Sequence, residues 1–401
     1  MNTLNNYTQA QKQMLHYVFN HGKVSRSELS SALNVSTLTV INGVKKLLED
    51  GMLVECGTLP SERGRRVTLL SINPELHYFI SVDIGAYSTK LAVLRFDGSI
   101  VHKEQLVNAT RDVRKCYLTP STLRSQIQLL LTRFGKDRIS ALCFAISGTV
   151  DYAAKQSRFC TNITGWSDVD FQKEFGDHFN LPVYLDSSGH CFAIAERQFG
   201  QGRDVSDLMV VSIGSSICTG IILGDKLLRG VSGAAGELGH VQDSVRPTFH
   251  NWQCTCGKRH CLELHATATC IRTNAIRDYA AQHPGWSITA EQASQWMATA
   301  YENKEPAAVN AVSTAAQVLG RHVANVANIL NPRMIVFGGG VIYAYPDMVD
   351  LLRQQILSTA LPMISQELTV TQSSLEPDAA LLGAALLAIY DLLNITTDKT
   401  L

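Results

Sequence analysis

Net charge is the first thing this chain lacks: 35 Lys and Arg face 35 Asp and Glu across 401 residues, and only 17% of the chain is charged. A hydrophobic fraction of 45% excludes a disordered or fibrous protein, and the length predicts two or three domains, each large enough for its own core. Long apolar runs are also missing. The longest, about 208–223, is broken by Gly, Ser and Thr, and the N-terminus MNTLNNYTQAQKQ is polar with no signal-peptide core. Neither a membrane span nor an export signal is predicted, which points to a reducing cytoplasm with thiols favoured over disulfides. Seven of the ten cysteines fit that expectation. Cys56, Cys116, Cys143, Cys160, Cys191, Cys218 and Cys270 are scattered with no pairing pattern.

The other three cysteines are clustered. The stretch Gly230–Glu263 reads GVSGAAGELGH, a loop, then CTCGKRHCLE, so His240, Cys254, Cys256 and Cys261 form an H-x13-C-x-C-x4-C array. Three thiols and one imidazole are a full tetrahedral set for a structural zinc ion. His250, His260 and His265 are rival imidazoles, which leaves the fourth ligand more open than the three thiols. Glu237 and Glu263 are interleaved with the ligands, so folding around a metal would also fix two carboxylates. That pattern reads as a small-molecule site braced by zinc.

The balanced charge conceals a local excess. Residues 1–72 hold eight basic side chains against five acidic ones, +3, which leaves −3 for the remainder. In that basic segment, Thr8–Asn20 carries Met14, Leu15, Val18 and Phe19 at helical spacing. Ser25 with Glu28 three residues later forms a capping box for a second helix, and Ser36 caps a third that runs to Asp50 before Gly51. Ile41, Val44, Leu47 and Leu48 are expected to face inward. Two short helices joined by a tight turn, followed by β-rich runs at 52–56 and 67–72, predict a winged helix-turn-helix. Ser36, Thr37, Thr39 and Asn42 would reach base edges of duplex DNA and Lys45 and Lys46 its phosphates, with the wing tip Arg63, Gly64, Arg65 and Arg66 along the minor groove. A three-helix protein-interaction module is the bland alternative.

From Tyr78 onward, apolar strands run into small-residue turns with helices between them, which predicts an α/β body. FISVDIG and LMVVSIG open two similar halves, suggesting a duplicated fold with a cleft between them.

From about Thr8 to its end the chain resembles the ROK family, repressors and sugar kinases sharing an actin-like body. The resemblance is carried by the zinc array, GELGH (236–240), SGTVD (147–151), NITGW (162–166), NPRMIVFGGG (331–340) and AALLGAALLA (379–388). The winged helix is what the family's repressor branch has and its plain kinases lack. The resemblance implies an α/β chain with an N-terminal winged helix-turn-helix over 1–72, then a two-lobed actin-like, sugar-kinase (ribonuclease H-like) body. Its first lobe would span 73–200 and its second, with the zinc loop, 201–401, the C-terminal helix packing back on the first lobe.

The family's kinases place an Asn-Asp pair where this chain has Ser187 and Ser188, and that Asp is the general base. A neutral serine cannot usefully accept the sugar hydroxyl's proton near neutral pH. Both phosphate turns depart as well: DIGAYSTK has Ala86 and Tyr87 where a second Gly is expected, and IGSSICTG has Ser and Cys between Gly214 and Gly220. Asp186 would serve as a rescued base only after a register slip. No ATP binding and no catalytic residue are therefore expected, with an active kinase carrying a DNA-binding head as the rival. Glu237, His240 and Glu263 match the family's sugar-hydroxyl contacts and are intact, with Ser187, Ser188, Gly148 and Asn162 as further lining candidates; otherwise His240 serves only the metal. The expected function is a cytoplasmic, sugar-responsive repressor that binds operator DNA as a homodimer or tetramer, with a sugar or sugar phosphate as effector. Control by a protein partner, or by no ligand, is the second alternative.

Overall fold

The computed structural model describes residues 6–60, 66–107, 118–160, 162–244 and 253–395. Three helices open the chain, α1 (Gln9–His21), α2 (Arg26–Leu33) and α3 (Thr37–Glu49), and their ends follow local chemistry. Thr8 accepts from the Gln11 N–H while Gln11 Oε1 accepts from the Thr8 N–H, and Ser25 with Glu28 repeats this reciprocal cap. Asn34, at φ 51°, ends α2 in the left-handed conformation, and Ser36 accepts from the Thr39 N–H to start α3. Three antiparallel strands complete this head, β1 (Val24–Ser25), β2 (Leu53–Leu59) and β3 (Val67–Ile72), in the order β1-β3-β2.

Met14, Leu15, Val18, Val40, Val44 and Leu47 fill the head's core. Ile41 does not join them: it is 48% exposed, and Gly43 takes the inward place. The glycine lies so close to α1 that a Cβ there would sit 2.8 Å from the Met14 sulfur. That approach fixes the phase of α3 and turns Ile41 outward. Arg63, Gly64 and Arg65 of the expected wing tip lie outside the described residues, and Arg66 is exposed at the foot of β3.

The body contains two five-stranded sheets. The first has the order β10-β7-β4-β5-β6, from β4 (Tyr78–Ile84), β5 (Ser88–Arg95), β6 (Ile100–Val107), β7 (Ile139–Ile146) and β10 (Val183–Ser187). A small hairpin, β8 (Thr149–Asp151) and β9 (Gln156–Phe159), stands beside it, and α4 (Pro120–Phe134) lies in the connection between β6 and β7. The second sheet has the order β13-β12-β11-β14-β15, from β11 (Leu208–Ile213), β12 (Ile217–Leu223), β13 (Lys226–Leu227), β14 (Met334–Gly338) and β15 (Thr369–Gln372). Each sheet joins an antiparallel hairpin, β4/β5 or β11/β12, to two parallel neighbours, the repeat that the similar half-openings predicted.

Two helices lie between the sheets: α5 (Ser188–Phe199) packs on β11 and β12, and the last helix, α13 (Ala379–Leu392), packs on β4, β7 and β10 and along α5. The second lobe is completed by α6 (Glu263–Ala266), α7 (Ala268–Gln282), α8 (Ala293–Glu302), α9 (Pro306–Leu330), α10 (Gly340–Ala344), α11 (Met348–Thr359) and α12 (Pro362–Ser365). Among the described residues, no helix is long and apolar enough to cross a membrane.

The head is not tethered loosely. Its core is continuous with that of α5 and α13, and Phe19 packs edge-on against Phe199 and Tyr390, with ring centroids 6.3 and 6.4 Å away. Gln198 donates to Asn20 Oδ1 (3.2 Å), Arg203 donates to the Asn20 carbonyl (2.8 Å), and His16 Nε2 lies 2.5 Å from the Leu393 carbonyl.

Candidate ligand pocket and metal centre

The pocket forms where α5 begins. β10 delivers Ser187 to the helix N-terminus, where its hydroxyl caps the His190 N–H (3.2 Å). Gly189 then meets β12 so closely that a Cβ would stand 2.5 Å from the Thr219 carbonyl oxygen, and a Cβ on Gly220 would stand 2.2 Å from the Gly189 carbonyl. Only glycines permit this contact, and it joins the two lobes at the pocket floor. Gly148, at φ 145°, makes a similar approach to the Phe159 carbonyl.

Gly148, Asn162, Ser187, Ser188, Glu237, His240 and Glu263 all line one pocket, together with Ser147, Ser216, Cys218 and Thr219. Its cavity measures about 40 Å³, room for about three waters by the same measure. A sugar ring needs more room than this. Sequence reasoning missed Thr219, whose buried hydroxyl finds no hydrogen-bonding partner among the described residues. The strand position of Thr219 gave no signal; its significance arises from glycines at 189 and 236 that crowd its backbone from two sides.

The two serines do not restore a base. Ser188 Oγ donates to Asp83 Oδ1 at 3.1 Å, so its proton is directed at an existing carboxylate. Burial pushes the Asp83 carboxyl up, opposed by the charge of Lys90 and by the Ser188 hydrogen bond. Asp186 is occupied elsewhere. It is fully buried, 2.7 Å from His190 Nδ1 and 2.9 Å from the Arg229 guanidinium, which stacks 4.2 Å over the Tyr152 ring. Burial alone would raise Asp186, but the His190 hydrogen bond and charge, with Arg229, hold it below the ordinary carboxylate range. It does not line the pocket.

A second, larger cleft of about 580 Å³ adjoins the pocket and shares Ser147, Ser188, Ser216 and Cys218 with it. It holds the altered turns: Asp83, Ala86 and Tyr87 on one wall, Gly214, Ser215 and Ser216 on the other, closed by Gly339, Gly340 and Glu376. Glu376 lies over this glycine turn, 2.9 Å from where a Cβ of Gly338 would stand, and its carboxylate accepts from the Gly339 N–H. Its pKa is pushed from 4.5 to about 7, first by burial, with Lys90 opposing and Asp83 adding to the rise. Lys90 reaches the Pro377 carbonyl (2.7 Å) and lies 4.0 Å from Asp83. Two carboxyl groups and one ammonium thus line this cleft together.

Beside the pocket, His240, Cys254, Cys256 and Cys261 bring one ligand atom each within 4.8 Å of one another. His240 Nδ1 is 3.4 Å from Cys254 Sγ, and the Cys256 and Cys261 sulfurs are 3.4 Å apart. Tetrahedral zinc–thiolate geometry asks for sulfurs about 3.8 Å apart, so the donor set fits that ion. His260 and His265 stand outside the group, His265 in the surroundings of Asp243 and His322, and His250 lies outside the described residues. The other nitrogen of His240, Nε2, is 3.7 Å from Glu237 Oε2. Glu263 Oε1 accepts from the Ile217 N–H (3.0 Å), and its other oxygen is 3.8 Å from Cys254 Sγ. Both pocket carboxylates thus lie next to the metal-ligand side chains, Glu237 3.7 Å from His240 and Glu263 3.8 Å from Cys254.

Comparisons agree with this geometry. The ROK family model matches residues 79–390. A putative xylose repressor from Caldicellulosiruptor sp. (strain Rt8B.4) is 26% identical over 384 residues, covering 95% of each chain. A glucokinase from Thermotoga maritima is 27% identical but covers 76% of this chain and 95% of its own. The crystal structure of a ROK family transcriptional regulator, a homolog of the E. coli MLC protein, superposes with a TM-score of 0.75 at 23% identity, over 96% of this chain and 98% of that one. A kinase-type two-lobed body, a three-thiol and imidazole centre and the family match over residues 79–390 together establish that this chain belongs to the ROK family.

Proposed function

We propose that this protein is a sugar-responsive transcriptional repressor whose kinase-like body binds a sugar without phosphorylating it. One observation carries the reading: α5 begins in the pocket at Ser188 and ends against the head at Gln198 and Phe199, so the same rigid element meets both sites. The working units are the head, 1–72, and lobes 73–200 and 201–401. The resemblance to proteins named xylose repressors supports it, and so does the absence of a free carboxylate at Ser188.

The pocket's donors and acceptors suit a polyol. Glu237 and Glu263 would accept sugar hydroxyl protons in charge-assisted bonds, and Thr219, Ser187 and Asn162 would complete the polar shell. His240, Cys254, Cys256 and Cys261 would hold zinc, which when bound fixes the loop carrying Glu237. His240 Nε2 would then keep Glu237 oriented toward the cavity. The described residues lining the pocket include no Lys or Arg to pair with a phosphate, which favours an unphosphorylated sugar over a sugar phosphate, and the altered turns of the neighbouring cleft disfavour ATP.

Because the cavity is too small for a ring as it stands, the sugar binds a more open arrangement of the lobes. Opening tilts α5 and, through Phe199 and Gln198, the head. Only that differential affinity for the two arrangements can change DNA binding. In a homodimer the two heads would then lose operator spacing. Ser36, Thr37, Thr39, Asn42, Lys45, Lys46 and the wing carrying Arg66 form the DNA-facing set. The test is fluorescence anisotropy of a promoter fragment bound by zinc-loaded protein, titrated with pentoses, hexoses and amino sugars. One sugar is expected to release the DNA; a panel that leaves the complex intact overturns the sugar assignment.

A further inference from the structure

The outward face of α3 is less polar than a helix that only follows phosphates would need. Leu38 is 67% exposed and Ile41 48% exposed, and with Asn42 and Lys45 they fall at i, i+3, i+4 and i+7, on one stripe. The hydroxyls nearest to them are already engaged: Ser36 Oγ accepts from the Thr39 N–H and lies 2.8 Å from Thr39 Oγ1. Lys46 is held 2.8 Å from Asp50, which also accepts from the Tyr7 hydroxyl. Beside the exposed Thr37, what the first half of the helix presents is therefore two branched aliphatic side chains and one amide.

A single exposed leucine is ordinary surface. Two at one helical spacing are different here, because their register is imposed: Val40, Val44 and Leu47 are locked inward, and Gly43 on Met14 fixes the phase. The segment 1–72 carries an excess of three positive charges, supplied by Arg63, Arg65 and Arg66 of the expected wing; on α3 itself Lys45, exposed one turn beyond Ile41, lies 3.9 Å from Glu49. That excess favours a polyanion as the partner of the head. A major groove offers one apolar group to such a face, the C5 methyl of thymine.

Resting on the DNA-binding reading above, we infer that Leu38 and Ile41 select operator sequence by packing on thymine methyl groups, with Asn42 beside them available for an adenine edge. This makes the two side chains specificity-determining residues for a T-rich half-site.

The experiment starts from full-length zinc-loaded protein and a randomised duplex library. Repeated selection yields a preferred site, and each thymine in it is then replaced by deoxyuridine, which removes the methyl and nothing else. Affinity is expected to fall about fourfold at each of two or more thymines, the worth of one buried methyl. Leu38→Ala and Ile41→Ala, both at exposed positions and so with melting temperatures near wild type, are each expected to abolish the uracil sensitivity at a different thymine. A selected site whose uracil versions all bind as tightly as the parent overturns the inference while leaving DNA binding standing. A loss of self-association in Leu38→Ala, measured by light scattering, also overturns it, since the face would then be an interface between copies. If no sequence is enriched, the DNA-binding reading fails and this inference fails with it.

Discussion

Replacing Glu376 by Gln isolates what one buried carboxyl costs the cleft. Glu376 faces Asp83 and Lys90, and burial is the main cause of its rise from 4.5 to about 7. A carboxyl with a raised folded pKa binds its proton more tightly folded than unfolded. Stability therefore falls as pH climbs through the unfolded value, and the loss is complete above the folded one. The interval between 4.5 and about 7 corresponds to an upper limit of roughly 3 kcal/mol. Gln keeps an acceptor for the Gly339 N–H and carries no charge. Glu376→Gln is thus expected to melt with wild type near about pH 5 and several degrees above it near about pH 8, at roughly 2–4 °C per kcal/mol for a unit the size of one lobe. Thermal unfolding of both proteins across that range reads the difference directly. A melting difference that is the same at both ends would refute the argument, because it would mean that the side chain acts through packing and not through charge.

Further outcomes follow from other parts of the site. Cys254→Ser is expected to lose metal, measured by atomic emission, and to lower the melting temperature and the sugar response together; an unchanged response after verified metal loss would contradict the bracing role. Thr219→Val, which removes the unpartnered hydroxyl while keeping the shape, is expected to weaken sugar binding about tenfold by calorimetry, the scale of one hydrogen bond, with no loss of thermal stability. Unchanged affinity would remove Thr219 from the pocket's contacts. Phe199→Ala is expected to keep both sugar and DNA affinities within a few-fold while making DNA binding insensitive to sugar. A variant that still releases DNA normally would show that α5 does not carry the signal.

How much of this was legible in the sequence depends on the range of each interaction. The caps at Thr8, Ser25 and Ser36 involve residues three apart, so the head's helices could be read directly. The metal set was legible because its three thiols lie within eight residues; the choice of His240 over His260 and His265 needed the folded loop. The phase of α3 was misread at Ile41 because the packing of Gly43 on Met14 joins two helices, and no periodicity in α3 alone reports it. Asp186 stood open as a stand-in base until its partners His190 and Arg229, the second 43 residues away, were in view. The same holds for Glu376, which approaches Asp83 only after nearly 300 residues of intervening chain. Sequence carried the local chemistry of the site, and long-range packing decided which groups were free to use it.

The central claim is that the body binds a sugar and transfers no phosphate to it. The most direct measurement puts zinc-loaded protein, Mg-ATP and the sugar that gives the largest calorimetric signal in one sample, and follows sugar occupancy and ADP release together. Saturable sugar binding with ADP release at the protein-free rate is the result predicted. ADP formed in step with consumption of the sugar would contradict the account and identify a kinase that works without a carboxylate at Ser188.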